Sequence, residues 1–295
     1  WQAYQAYLPV YAKELGINML EPVNSDYDSA KQMTDMANLL TLGAKSIVTT
    51  PIESGAVRPA LKRADAAGVP VVGVDVAPQS GPISIVVRAD NRAYGTKACK
   101  YIGANVEAGP VVQIMGALAS VNGRDRAEAF RECMAVHHPS IEVLEIPAEW
   151  MADIAASSLD ALLVSNPDIS GIYMHAGGAF LTATLQTLER KGMLKLRGED
   201  GPIVIVSNDG IPQEFEAIRE GKIDATVSQP ADLYAYYGLL YAKQAMEGKV
   251  FEVGPTDHNS TIVEVAPGVL EDQLPAPLIT IENVDDPDLW GNAIK

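Results

Sequence analysis

The stretch from Ile203 to Pro230 constrains the fold more than any other part of this chain. An apolar run, Ile203-Val204-Ile205-Val206, is followed by Asn208-Asp209-Gly210, a helical pattern, Gly221, a second short apolar run from Ala225 to Ser228, and Gln229-Pro230. A continuous apolar run of that length bounded by turn residues fits a strand buried on both faces, as in a parallel sheet. Two such strands joined through one helix form a βαβ unit, whose crossover covers a face of the sheet. A carboxylate, Asp209, sits where the first strand ends, and ligands of open α/β sheets bind at that carboxyl edge.

The same alternation runs through the rest of the sequence. Helical spacing of Tyr4, Tyr7, Leu8, Tyr11 and Leu15 predicts a first helix, stopped by Gly16 and interrupted by Pro9, which should kink it or remove one hydrogen bond. Strands are predicted at Ile17 to Val23, Ser46 to Thr50, Val69 to Asp75 and Ile83 to Val87, with helices at 29–42 and 57–67. A second series places strands at Val111 to Met115, Ile141 to Ile146, Ile169 to Met174, Ile203 to Val206 and Ala225 to Ser228. Helices near 92–105, 124–136, 152–164, 179–191 and 212–219 separate them. Such regular alternation means parallel sheets covered by helices. An eight-stranded barrel satisfies the alternation nearly as well as two open sheets do, and 295 residues suit either.

Thirty-eight acidic against 22 basic residues give a formal charge of −16, which repels nucleic-acid phosphates and anionic lipid headgroups. No apolar run approaches the roughly 18 to 20 residues of a membrane span. Cys99 and Cys133 have no metal-ligand spacing, and the simplest reading is two buried thiols, although export would permit a disulfide between them.

An ordered set of motifs resembles the type-1 periplasmic sugar-binding proteins, the ribose-binding-like receptors of ABC transporters. It comprises Pro51 through Asp75 with Ala67-Gly68-Val69-Pro70-Val71-Val72, then Asp90-Asn91 and Gly95, Gly116 with Arg124, Arg126 and Phe130, and the 203–230 stretch. The resemblance covers essentially the whole chain and implies two Rossmann-like α/β lobes with parallel sheets joined by three crossings. With crossings near Ala89, Gln229 and Asp257, the first lobe would hold 1–89 and 230–257 and the second 90–229 and 258–295. It also implies a strand and a short loop preceding Trp1. The function implied is capture of a monosaccharide or sugar alcohol by closure of the lobes and delivery to a membrane permease, by a monomer in the periplasm or lipid-anchored outside a Gram-positive cell. No catalysis, cofactor, metal or nucleic acid is implied. Two other readings share parts of the pattern: the effector domain of a LacI-like repressor, and a glycosidase-like enzyme using Asp75 and Asp209.

Sugar recognition needs aromatic faces for C–H-rich ring surfaces and planar polar groups for pairs of hydroxyls. The resemblance places Trp1 and Trp150 at the two stacking positions, and Asp75, Arg124, Asp209 and Gln229 at polar ones. Arg126 is expected in an ion pair within its lobe, and Asp125 and Glu128 are the expected acidic partners where the arginines open a helix. Departures from the ribose-binding pattern are Val76, where an arginine is common, and Ala176-Gly177, where Asn-Asp is common. The second departure removes a polar contact, which His175 is positioned in sequence to replace, and Asn208 offers an amide beside Asp209.

Overall fold

The computed structural model describes residues 1–293. In chain order the elements are α1 (Gln2–Glu14), α2 (Ser29–Thr41), β1 (Ile47–Thr49), α3 (Arg58–Ala66), β2 (Val71–Val74), β3 (Ile85–Ala89), α4 (Asn91–Asn105), β4 (Val111–Met115), α5 (Val121–His137), β5 (Val143–Pro147) and α6 (Ala152–Ser165). They continue with β6 (Gly171–Met174), α7 (Gly177–Arg190), β7 (Val204–Asp209), α8 (Pro212–Arg219), β8 (Ala225–Ser228), α9 (Ala231–Met246), β9 (Gly254–Pro255), β10 (Thr261–Ala266), β11 (Val269–Leu274), β12 (Leu278–Thr280) and α10 (Trp290–Ala293). The chain divides into two units: Trp1–Asp90, Ala119–Val121 and Pro230–Pro275 form the first, and Asn91–Leu118, Asn122–Gln229 and Ala276–Lys295 the second.

The first unit carries a six-stranded sheet in the order β1-β2-β3-β11-β10-β9. Strands β1, β2, β3 and β11 pair in parallel, and β10 and β9 close the edge antiparallel. Alternation sorts its side chains. Val72, Val74, Ile85 and Val87 meet Tyr234 and Tyr241 of α9, while Ile47 and Val71 pack with Met36 of α2 and Leu61 of α3. Helix α1 runs through Pro9 and buries Leu8 and Ala12 against Ala235 and Leu239 of α9.

The second unit holds the order β12-β8-β7-β6-β4-β5, parallel except for the antiparallel edge strand β12. Val112, Ile114, Ile172, Met174 and Ile205 face α6, α7 and α8 through Leu159, Phe180 and Phe215. Val111, Tyr173 and Val206 face α4 and α5 through Ile102, Phe130 and Met134. Two open sheets, rather than one closed barrel, therefore satisfy the alternation.

Four expectations change. Ile17 to Val23 is not a strand. Its alternation is used instead to pack Ile17 and Met19 beside α1, with no strand pairing along it. The third division lies between Pro275 and Ala276, not near Asp257, because β10 and β11 form a hairpin whose second strand pairs with β3. Helix α5 begins at Val121, so Arg124 and Arg126 lie past its first residues, and Glu128 pairs with Arg92 at 3.5 Å. Cys99 and Cys133 are joined as a disulfide linking α4 to α5, with Cα atoms 6.2 Å apart.

Candidate functional site

Five neighbouring parallel strands of the second unit end at one sheet edge, and each delivers a candidate residue there. Across the sheet these are Gln229 after β8, Asp209 closing β7, His175 after β6, Gly116 after β4 and Trp150 beyond β5. Backbone bonds stitch the edge: Gln229 N–H donates to Asp209 O at 2.8 Å, His175 N–H to Ile114 O at 3.0 Å, and Ala148 N–H to Met115 O at 3.0 Å.

Backbone conformation marks the same places. Positive φ angles in non-glycine residues occur at Asp75 (65°), Glu149 (50°), Trp150 (64°) and Asp209 (126°), each at or just beyond a strand end. Such conformations cost of order 1–3 kcal/mol each and collect where function requires a particular side-chain direction.

Arg126 organises the second unit's edge. It is 3% exposed; its Nε donates to Asn91 Oδ1 at 2.7 Å, Nη2 donates to Gln229 Oε1 at 3.0 Å, and Nη1 donates to His175 O. Its guanidinium lies 4.7 Å from the Tyr94 ring centroid and 5.7 Å from that of Trp150. These partners are neutral, so the expected ion pair is replaced by three charged hydrogen bonds and two aromatic faces. Arg124, half-buried one turn from the helix start, donates from Nη1 to Leu118 O at 2.7 Å.

Trp150 lies parallel to Phe180 (6.4 Å between centroids, 10° between planes), and its other neighbour is Gly116. A Cβ at position 116 would lie 2.0 Å from the indole, so only glycine lets the ring settle against this strand end. The ring is half-buried, which leaves surface for a ligand.

His175 does not present its imidazole to a ligand, contrary to the sequence expectation. Its side chain is fully buried, Nδ1 accepts from Gly116 N–H at 3.2 Å, and Nε2 lies 2.8 Å from the Gln113 amide. An accepting Nδ1 puts the ring proton on Nε2, and the Gln113 amide nitrogen that stands opposite it then requires the amide to turn its oxygen to the ring. Burial first, and then the charge of Arg126, hold the imidazole well below its ordinary pKa and keep it neutral. His175 is thus scaffold: its carbonyl receives Arg126 and Asn208 Nδ2, the latter at 3.1 Å. Asn208, also fully buried, donates from Nδ2 to Tyr173 Oη at 2.8 Å. Asp209 remains half-buried, and its Oδ2 accepts the N–H of Gly178 at 2.8 Å at the start of α7.

Trp1 and Asp75 belong to the first unit. Trp1 is 53% exposed at the start of α1, edge-on to Tyr4 at 5.5 Å. Asp75 follows β2, is 6% exposed, and its N–H donates to Val87 O at 2.8 Å. Among the described residues no group of three or more His, Cys, Asp or Glu side chains is arranged to hold a metal ion, and no helix is long and apolar enough to cross a membrane.

Sequence reasoning missed Glu214. It is fully buried in α8, and its Oε2 accepts Gly210 N–H at 2.7 Å and Ile211 N–H at 3.0 Å. The signal was present, since a glutamate at the third helical position ordinarily reaches back to the backbone N–H groups that open a helix.

Residues 1–250 match the family model of the periplasmic binding protein domain, and the chain belongs to that family. It is 26% identical to the ribose import binding protein of Escherichia coli K12 over 239 residues, covering 81% of this chain and 77% of that protein. The D-allose-binding periplasmic protein of the same organism is 27% identical over 252 residues, covering 81% and 78%. An ABC transporter solute binding protein from Bacillus halodurans with bound myo-inositol shares the fold with a TM-score of 0.83 at 19% identity, covering 98% of this chain and 93% of that one.

Proposed function

We propose that this chain is a solute-binding protein that captures a monosaccharide or sugar alcohol and delivers it to the membrane permease of an ABC importer. The observation that carries this reading is the concentration of hydroxyl-bonding and aromatic groups at the carboxyl edge of the second unit's sheet. There, Asp209, Gln229 and Trp150 stand on three strand ends around the fully buried Arg126. A carboxylate and an amide match pairs of hydroxyls, and the indole matches the C–H face of a ring. The named relatives, which bind ribose and allose, support the same ligand class for this chain.

In this reading Asp209, Gln229, Trp150 and Arg124 contact ligand from the second unit, and Asp75 and Trp1 from the first. His175 and Asn208 act by holding the strand ends in place. Capture proceeds by closure on the ligand, which stabilises the closed population by differential affinity. The protein works as a monomer and without a catalytic step, in the periplasm or, lipid-anchored, on the outer face of a Gram-positive cell. The Cys99–Cys133 disulfide supports a compartment outside the reducing cytosol. The formal charge of −16 speaks against a nucleic-acid partner.

A thermal-shift screen against pentoses, hexoses, deoxysugars and polyols tests this. A ligand at 100 times its dissociation constant adds about 2.7 kcal/mol of stability. A rise in Tm with at least one such compound is expected, and no shift across the panel would overturn the reading.

A further inference from the structure

The loop carrying Asp209 is held by a group that has no place in ligand contact. Glu214 Oε2 takes both N–H groups that follow Asp209, those of Gly210 and Ile211, while Oε1 receives the Thr226 hydroxyl of β8 at 2.9 Å. On its other side the carboxyl is covered by the start of α7. A Cβ at Gly177 would lie 2.2 Å from both the carboxyl carbon and Oε1, so a side chain there could not coexist with Glu214 in this position. The next residue, Gly178, donates its N–H to Asp209 Oδ2. One buried carboxyl thus ties the β7 end to β8, and the close approach of α7 directs a backbone N–H at the Asp209 carboxylate.

We propose that Glu214 is the positioning residue of the Asp209 loop, and that Gly177 is required because it admits Glu214 beneath that loop. The inference deepens the sugar-receptor reading and rests on it for the identity of the ligand, though not for the geometry. It also gives a physical account of Gly177 in the Ala176-Gly177 pair. The space left at Gly177 is occupied by the Glu214 carboxyl rather than by ligand.

The protonation state follows from the surroundings. Burial, and then the adjacent Asp209, push the Glu214 carboxyl up to about 8, against the pull of its hydrogen bonds from Ser207, Ile211 and Thr226. Oε2 faces two N–H donors, so a proton on Glu214 sits on Oε1, and in that state the Thr226 hydroxyl turns from donor to acceptor. The half-buried Asp209 is the group of this pair left to accept ligand hydroxyls. A glutamine reproduces this state: its oxygen accepts both N–H groups and its NH2 donates to Thr226.

The test uses four variants of the full chain, Glu214→Gln, Glu214→Ala, Gly177→Ala and the Gly177→Ala/Glu214→Ala double variant. Amide hydrogen exchange is read across 207–215, and affinity is read by calorimetry with D-ribose, D-allose and myo-inositol as probes. Glu214→Ala should lose protection at Gly210 and Ile211 with the remaining strands unchanged, and weaken probe binding about tenfold or more. Glu214→Gln should retain both protection and affinity, since its amide oxygen still accepts both N–H groups. Gly177→Ala should weaken binding in the native background and cost little further in the Glu214→Ala background. Native-like exchange at 210–211 in Glu214→Ala, or an equal effect of Gly177→Ala in both backgrounds, would overturn the proposal. If Glu214→Ala does not fold, failure of Glu214→Gln to keep the protected amides overturns it. If none of the three probes binds, that counts against the ligand reading, while the exchange data still decide the positioning role.

Discussion

Replacing Arg126 by alanine should cost the protein far more than an average substitution. The guanidinium is buried and supplies charged hydrogen bonds to Asn91 Oδ1, His175 O and Gln229 Oε1, besides filling the space between the Tyr94 and Trp150 rings. Hydrogen bonds to a charged group contribute roughly 1.5–3 kcal/mol each, and truncation strands three acceptors. Each stranded acceptor costs about 1–3 kcal/mol and water entering the vacated volume recovers part of that loss, so the net cost is about 3–5 kcal/mol. For a unit of this size about 1 kcal/mol moves Tm by roughly 2–4 °C, so Tm should fall by about 6–20 °C. Arg126→Lys keeps the charge but not the planar fork, and should recover less than half of the loss. Urea unfolding monitored by circular dichroism and calorimetric Tm measure both variants. An Arg126→Ala protein within about 1 kcal/mol of the native one would refute the assignment of Arg126 as the hub of this edge.

Trp150 fluorescence should change when D-ribose, D-allose or myo-inositol binds, and the change should vanish in Trp150→Leu. A signal that persists there and disappears in Trp290→Leu would contradict the placement, since Trp290 is buried with its Nε1–H on Ser228 Oγ. Gly116→Ala should blunt the same signal, because the added methyl overlaps the indole and overpacking costs about 1–3 kcal/mol. Reducing the Cys99–Cys133 bond, or replacing both residues by serine, should lower stability by about 3–4 kcal/mol for its separation of 34 residues, and an unchanged urea midpoint would argue against the bond. His175 is depressed by burial and Arg126, so the unfolded chain takes up a proton as pH falls through about 6.5 while the folded chain does not. Its contribution is therefore present above that pH and lost below it, at up to about 1.4 kcal/mol per pH unit. His175→Asn should flatten this part of the acid limb in pH-dependent urea melts, and an unaltered limb would contradict a neutral buried imidazole.

How much of this was legible in the sequence depended on the range of the interactions involved. The βα alternation and the strand-end positions of Asp75, Asp209 and Gln229 are local features, and apolar runs that close on Asp75, on Asp209-Gly210 or on Gln229-Pro230 declare them. The β10–β11 hairpin had a local sign as well, Pro267-Gly268 between two apolar stretches, yet which sheet receives it is a long-range pairing with β3. Likewise, nothing near Cys99 or Cys133 reveals that α4 and α5 bring them together. His175 looked available because it directly precedes Ala176-Gly177, where the polar pair of the ribose-binding pattern is missing. Its actual environment comes from Gln113 and Gly116 on the adjacent strand, and from Arg126 on a helix packed across the sheet. Burial made by distant segments decides which polar residue is scaffold and which is left to meet a ligand.

The central claim, that the carboxyl edge of the second unit's sheet recognises a hydroxyl-rich neutral ligand, is tested most directly by titration calorimetry. D-ribose, D-allose and myo-inositol would be titrated into the native protein, Arg124→Ala and Asp209→Ala, with folding of each variant verified by its thermal transition. The account predicts saturable binding of at least one probe at one site per native chain. Each variant should lose roughly 2–5 kcal/mol of binding free energy, as when one partner of a desolvated charged hydrogen bond is removed. Equal affinity in all three proteins, or no saturable binding of any probe by the native chain, would contradict it.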